Sequence, residues 1–279
     1  MDARRILFRW LCAGICLSLS AAAVRAEVVP FAQVPAAVQK GIQAQLGNGT
    51  LGEIVRDEED GEVTYSVEIT KGGRGRDYTL SEAGVLVSME VFLQETPLAV
   101  QKAIQAVVGQ GTIQSIDKAL GESEASYDVE WNTKEGATRS CSVLESGKLA
   151  SVQVSLEETP PAVKAAIVTE VGKGQLKEVL KSTEDNAVLY DVTVNRDGKD
   201  REFSVTEAGK LDSRQVFLGE LSPAVQSAIQ RTVGQGKLLR IDQVFEMKKG
   251  GFPYEVESIV DGKPYDFSIG HKGAFLGVD

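Results

Sequence analysis

The chain has 279 residues, 42% of them hydrophobic and 25% charged, and its 30 Lys and Arg against 40 Asp and Glu give a formal charge of −10. That is the composition of an ordinary globular protein. The acidic surplus disfavours nucleic acid and anionic membrane surfaces as partners, since both would repel it.

The first segment carries Arg4, Arg5 and Arg9, then an apolar run from Trp10 to Val24, then Val24-Arg25-Ala26. Basic, apolar and small-residue regions in that order make a secretory signal peptide, with cleavage expected after Ala26. The apolar run is short of the ~20 residues that a spanning helix needs. The expected location is therefore the periplasm or the medium, with no stable membrane insertion after cleavage. Removing residues 1–26 takes away four Arg and one Asp, leaving 26 basic and 39 acidic residues and a formal charge of −13. Cys12 and Cys16 leave with the leader, so Cys141 is the remaining thiol and no intramolecular disulfide is expected.

After the leader, Val38, Ile42 and Leu46 are spaced by four, which puts them on one side of a helix. Pro35 stands near its start, where the fixed φ suits a first turn, and Gly47 follows its end, where a left-handed cap favours glycine. A strand beginning TLGEI at Thr50 comes next, and then Tyr65-x-Val67-x-Ile69 alternates as a half-buried strand does. The turn KGGRG from Lys71 leads to a run with Tyr78 and Leu80. A turn ending at Gly84 then leads to LVSMEVFL.

The same text is then written three more times. Val38, Val100, Val163 and Val225 lie 62, 63 and 62 residues apart, and Ile104, Ile167 and Ile229 repeat the slot of Ile42. The alternating strand returns at Tyr127, Tyr190 and Tyr254, and the turn glycine at Gly147, Gly209 and Gly273. The fold class read from this is α+β: four tandem units, each one helix packed on a small antiparallel sheet of three to four strands. The expected boundaries are 27–94, 95–157, 158–219 and 220–279, following the signal peptide 1–26.

A helix, then G-x-[LI]-x-x-[IV], then Y-x-V-x-[IVW], then an alternating strand closed by E-x-G-[KV]-L resembles the PepSY and PepSY-like exported bacterial domains, kin in architecture to the β-lactamase inhibitory protein. The resemblance spans the chain beyond the leader, four times over. It implies an extracytoplasmic, non-catalytic binding or inhibitory module of the kind associated with proteases or other enzymes. The shared positions are core and turn residues, so it carries over no contact residue.

The candidates for chemistry are few. His271 is the single histidine and occupies the turn slot of Glu82, Glu145 and Glu207, which reads as solvated. Cys141 takes the slot of Tyr78, Phe203 and Phe267, which alternation points toward the helix, and reads as a small buried hydrophobe. The run DEED from Asp57 lacks calcium-loop spacing and reads as a hairpin turn, and the GNG, GQG and GKG pairs follow helices and lack a phosphate-gripping Lys-Ser/Thr. No catalytic residue, cofactor or metal ligand is expected.

With Tyr and Val turned in, the other strand parity exposes Glu68, Asp128, Glu130, Asp191, Glu255 and Glu257, joined from the neighbouring strand by Asp77, Glu202 and Asp266. These six are the protein-binding candidates, with a basic protein surface as the expected partner. The function read from the sequence is an exported binding or inhibitory module. The alternative is a structural or envelope-associated repeat protein without a discrete ligand.

Overall fold

The structure, a computed structural model, describes residues 26–59, 62–121, 124–184, 187–245 and 253–278. The expected signal peptide before Ala26, and Asp60 and Gly61 at the end of the DEED run, lie outside the described residues. Contacts divide the described chain at Val152/Gln153 into two compact units. Each is described by itself.

The first unit opens with β1 (Glu27–Val28), a 3₁₀ turn at Phe31–Gln33 and α1 (Ala36–Leu46), followed by β2 (Thr50–Glu59), β3 (Glu62–Lys71), β4 (Arg74–Ser81) and β5 (Leu86–Glu90). A second 3₁₀ turn at Leu93–Glu95 leads to α2 (Leu98–Val108), then β6 (Thr112–Ala119), β7 (Ser126–Asn132), β8 (Thr138–Leu144) and β9 (Leu149–Gln153). The helices keep the bounds that Pro and Gly set: Pro35 and Pro97 precede them, and Gly47 and Gly109 end them at φ 52° and 57°. Val38 and Ile42 of α1 are fully buried against Ile54, Tyr65, Val67, Ile69, Tyr78 and Leu80. Val100, Ile104 and Val108 of α2 do the same against Ile116, Tyr127, Val129, Trp131, Cys141 and Val143. Burying each such aliphatic side chain is worth about 1.5–3 kcal/mol, which is what holds the helices to the sheet.

The second unit runs from a 3₁₀ turn at Leu156–Glu158 through α3 (Pro161–Val171), β10 (Gln175–Glu184), β11 (Ala187–Arg196), β12 (Lys199–Thr206) and β13 (Leu211–Gln215). After another 3₁₀ turn at Leu218–Glu220 come α4 (Pro223–Val233), β14 (Lys237–Val244), β15 (Tyr254–Val260), β16 (Lys263–Pro264), β17 (Phe267–Ile269) and β18 (Phe275–Val278). Its two cores gather around Val163 and Ile167 and around Val225, Ile229 and Val233.

The turn glycines have a packing reason. Gly84 lies at φ +74°, and a Cβ built there would stand 2.1 Å from the carbonyl oxygen of Ala37 in the first turn of α1. Gly209 at φ +76° meets Ala162 of α3 in the same way, at 2.6 Å. Only glycine lets the helix come down that close to the turn.

The strand pairing corrects the expected fold class. Four separate units, each with its own sheet of three to four strands, are not what forms. The described residues make eighteen strands, antiparallel wherever they pair, and the sheet does not stop where the sequence copies do. In the first unit β5 pairs β6 through Ser88↔Ala119, Met89↔Lys118 and Glu90↔Asp117. In the second, β13 pairs β14 through Ser213↔Val244, Arg214↔Gln243 and Gln215↔Asp242. Within each unit the two helices lie on one continuous antiparallel sheet, and in the first Met89 packs against the cores of both α1 and α2. The physical reason is the cost of edges. A sheet of three or four strands leaves two rows of unpaired N–H and C=O groups, and pairing the last strand of one copy with the first of the next removes one such row from each copy.

Candidate functional site

In each unit the face of the sheet away from the helices carries the binding candidates named from the sequence, and the two units treat it differently. In the first unit Glu68 in β3 is exposed and lies opposite Asp77 in β4. Asp128 and Glu130 in β7 are half-buried; Asp128 is flanked by Asp117 of β6 and Ser142 of β8, and Glu130 by Ser115 and Ser140. Glu90 in β5 lies opposite Asp117 and completes a run of six carboxylates. Alternation identified four of these, Glu68, Asp77, Asp128 and Glu130. Asp117 and Glu90 were missed, because they stand on strands read only for their apolar residues.

The register of β6 explains why. A bulge between Ile113 and Ser115 breaks strict alternation, so that Ile113 and Ile116 pack toward α2 while Ser115 and Asp117 lie on the other face. The visible signal was the repeated pair Ile-Asp in TIQSIDKA and KLLRIDQV.

Burial first, and neighbouring like charge second, raises three of these acids, Asp77, Asp117 and Asp128. Burial, aided by the Asp117 charge and opposed by a hydrogen bond from Ser142, lifts Asp128 to about 6. Asp117 is raised by burial and by Glu90, Asp77 and Glu130, and Asp77 by burial and by Glu68. Among the described residues no Lys or Arg forms an ion pair with any of the six.

The second unit places a cation at the corresponding spot. Arg240 in β14, the counterpart of Ser115, donates from Nε and Nη2 to the carboxylate of Asp242 at 2.5 and 3.0 Å and from Nη1 to Glu202 at 2.7 Å. It also lies directly across from Glu257, while Glu255 sits between Asp242 and Ser268. Burial disfavours the guanidinium charge, but the bonds to Asp242 and the field of Glu202 more than offset this and hold its pKa above the usual value. Asp191 in β11 is satisfied differently, accepting from Ser182 at 2.7 Å and Ser204 at 2.5 Å. Glu178 in β10 is raised by burial and by Glu202. The six sequence candidates therefore do not form one equivalent surface. Glu68, Asp128 and Glu130 belong to a face of acids and serines with no ion pair to a described Lys or Arg, and Asp191, Glu255 and Glu257 to a face threaded by Arg240.

The remaining candidates are placed plainly. Cys141 is buried, and its thiol is pushed up to about 12 by burial and by the Asp128 charge, which leaves no thiolate near neutral pH. His271 is exposed in the turn before β18. Asp57 and Glu58 lie on β2, so the DEED run is extended strand up to Glu59 where a turn was expected, and Arg56 pairs with Glu58 at 2.8 Å. Among the described residues no group of three or more His, Cys, Asp or Glu has the geometry to hold a metal ion. An open groove is lined by Val107, Gln110, Trp131, Lys134, Glu135 and Arg139.

No protein-family model matches the chain, and no curated protein does. Several solved structures are similar to parts of it. A DUF2874 family protein from Bacteroides ovatus is 17% identical with a TM-score of 0.33, over 43% of this chain and 86% of that one. A DUF2874 family protein from Bacteroides uniformis is 16% identical with the same TM-score, over 41% and 85%. A protein of Bacteroides thetaiotaomicron, provisionally named a calcium-regulated periplasmic protein, is 13% identical with a TM-score of 0.29, over 46% and 96%. At TM-scores near 0.3 this likeness decides neither the fold nor the activity of the chain. Among the described residues no helix is long and apolar enough to cross a membrane.

Proposed function

We propose that the protein is an exported, non-catalytic binding module of PepSY-like type, and that its partner is a basic protein surface received by the carboxylate face of residues 62–130. Export rests on the leader pattern of residues 1–26. The observation that carries the binding reading is the run Glu68, Asp77, Glu90, Asp117, Asp128 and Glu130. These six acids repel one another and meet no described cation, while the matching place in the second unit holds Arg240. A face on which Asp77, Asp117 and Asp128 are raised gains by meeting Lys or Arg, because an incoming cation relieves the repulsion that the fold leaves standing. Inhibition of an enzyme would be one outcome of such binding.

An octalysine peptide tests the charge reading directly. The Asp128 carboxyl, titrated by NMR, falls by a unit or more when the peptide is bound. The triple variant Asp77→Asn, Asp117→Asn, Asp128→Asn weakens binding at least tenfold, and raising salt from about 50 to about 300 mM weakens it further. Affinity that is indifferent to both the triple variant and salt would leave this face merely solvated.

A further inference from the structure

Each of the four helices hands over to its next strand through the same short turn, and one position of that turn is fixed by packing. Gly49, Gly111, Gly174 and Gly236 follow the helix ends. A Cβ built on them would stand 2.9 Å from the Ile69 side chain, 2.7 Å from the Asn132 carbonyl oxygen, 2.6 Å from the Val194 side chain and 2.3 Å from the Ile259 carbonyl oxygen. No larger residue fits there. The residue just before it is exposed in every copy and differs between them: Asn48, Gln110, Lys173 and Gln235. Only in the first copy does the obligatory glycine follow an asparagine.

That pairing has a chemistry of its own. The backbone nitrogen of the residue after an asparagine can attack the side-chain amide carbon Cγ. A C–N bond forms, the side-chain nitrogen leaves as ammonia, and the five-membered succinimide then takes up water to give aspartate or isoaspartate, so atoms balance with no oxidant or reductant. Glycine favours the attack because it brings no Cβ into the way of the nitrogen. Gln110 and Gln235 would have to close a six-membered ring, which is slower, and Lys173 has no amide. Asn132, Asn186 and Asn195 are followed by Thr133, Ala187 and Arg196, whose side chains hinder the attacking nitrogen.

The fold holds the attacking nitrogen back. Gly49 N–H donates to the Leu46 carbonyl at 2.8 Å, so the hydrogen that must leave before attack is bonded. Gly47 beside it keeps the left-handed φ of 52° that ends α1, and Gly49 itself is held against Ile69 and Lys71. We propose that Asn48 is a self-modification site, whose conversion to aspartate or isoaspartate is gated by opening of the turn between α1 and β2. The product favours the opening that made it. It places a negative charge at the C-terminal end of α1, where the helix dipole disfavours one. The isoaspartate form also adds a methylene to the backbone just before Thr50 pairs with Thr70. The site shares no residue with the carboxylate face, so its success or failure is separate from that of the binding reading above.

The test is ageing of the purified protein in mildly alkaline buffer, folded and in urea, with peptide mapping that separates asparagine, aspartate and isoaspartate at each position. In urea Asn48 is expected to convert ahead of Asn132, Asn186 and Asn195. In the folded protein it is expected to convert at least tenfold more slowly than in urea, because the reaction waits on local opening. Gly47→Ala strains the left-handed cap without a clash, since nothing lies within 4 Å of a Cβ there, and is expected to raise the folded rate while leaving the urea rate unchanged. Gly47→Asn, which tolerates that φ, is expected to keep the folded rate near that of the unaltered chain. Circular dichroism checks that both variants remain folded. Earlier conversion of another asparagine in urea would overturn the proposal. So would equal rates folded and in urea, or a folded rate that does not differ between Gly47→Ala and Gly47→Asn.

Discussion

Strands β6 and β14 hold equivalent places in the two units, and their sequences TIQSIDKA and KLLRIDQV share a bulge, a buried isoleucine and an outward aspartate. They differ where it matters electrically, in Ser115 against Arg240. In the second unit one guanidinium binds Glu202 and Asp242, and acids that would repel become a bonded cluster. In the first unit a serine stands there, and Asp77 and Asp117 are raised along with Asp128. A single side chain on a bulged strand decides whether the same sheet face is internally satisfied or left to seek charge from outside.

The largest effect is expected from making the second unit like the first. Arg240→Ser leaves Asp242, 6% exposed, and Glu202 without their cation, and removing one partner of a buried ion cluster costs about 3–5 kcal/mol. Urea unfolding measures this, and a loss below about 1 kcal/mol would mean that the cluster is no more than a surface pair.

The acids of the first unit next set a pH dependence. Asp128 has a folded-state pKa of about 6 against an ordinary value of 3.8, so between those values the folded state holds the proton more tightly than the unfolded chain. Stability contributed by that proton is present at low pH and is lost as pH rises through 6. The loss is on the order of 1–3 kcal/mol, and Asp77 and Asp117 act in the same direction. Glu95 and Glu220 work the other way. They are lowered chiefly by hydrogen bonds from Arg76 and Arg201, and their contribution disappears only as pH falls below the ordinary carboxylate range. Denaturant midpoints between pH 5 and 7 therefore isolate the first group, and Asp128→Asn is expected to flatten that slope.

Converting the first unit to resemble the second is expected to give a smaller gain. Ser115→Arg brings a guanidinium opposite Glu130 and beside Asp117, and should stabilise by about 1 kcal/mol while lowering the Asp117 pKa in an NMR titration. An unchanged titration would show that the bulge aims this position elsewhere. The smallest effect marks the baseline: Lys164→Ala removes an exposed pair with Glu157 and should change stability by no more than about 0.5 kcal/mol.

Much of the local structure was legible. Spacing by four with Pro before and Gly after bounded all four helices, because those residues satisfy or spare the orphan groups at helix ends. Alternation placed Tyr65, Val67, Tyr127, Val129, Tyr190 and Val192 in the core, and it put Cys141 there with them. The acids Glu68, Asp128, Glu130, Asp191, Glu255 and Glu257 lie on the strand parity opposite the core, where alternation expects full exposure, but all except Glu68 are half-buried by their neighbours on the same face. Arg240 gave no signal of its own, since a lone arginine in an apolar strand reads as an ordinary surface residue until the bulge and the neighbouring strands are known.

The sequence by itself determined where each helix begins and ends, which parity of each strand is apolar, and that the text is written four times. These are local properties, fixed by backbone sterics and by the period of side-chain direction along one segment. Only the tertiary structure decided that β5 continues into β6 and β13 into β14, and that Arg240 reaches Glu202 across 38 positions of chain. Strand pairing is chosen by which edges can satisfy one another's N–H and C=O groups, and charge pairing by distance through space. Neither quantity is written into the period of a single strand.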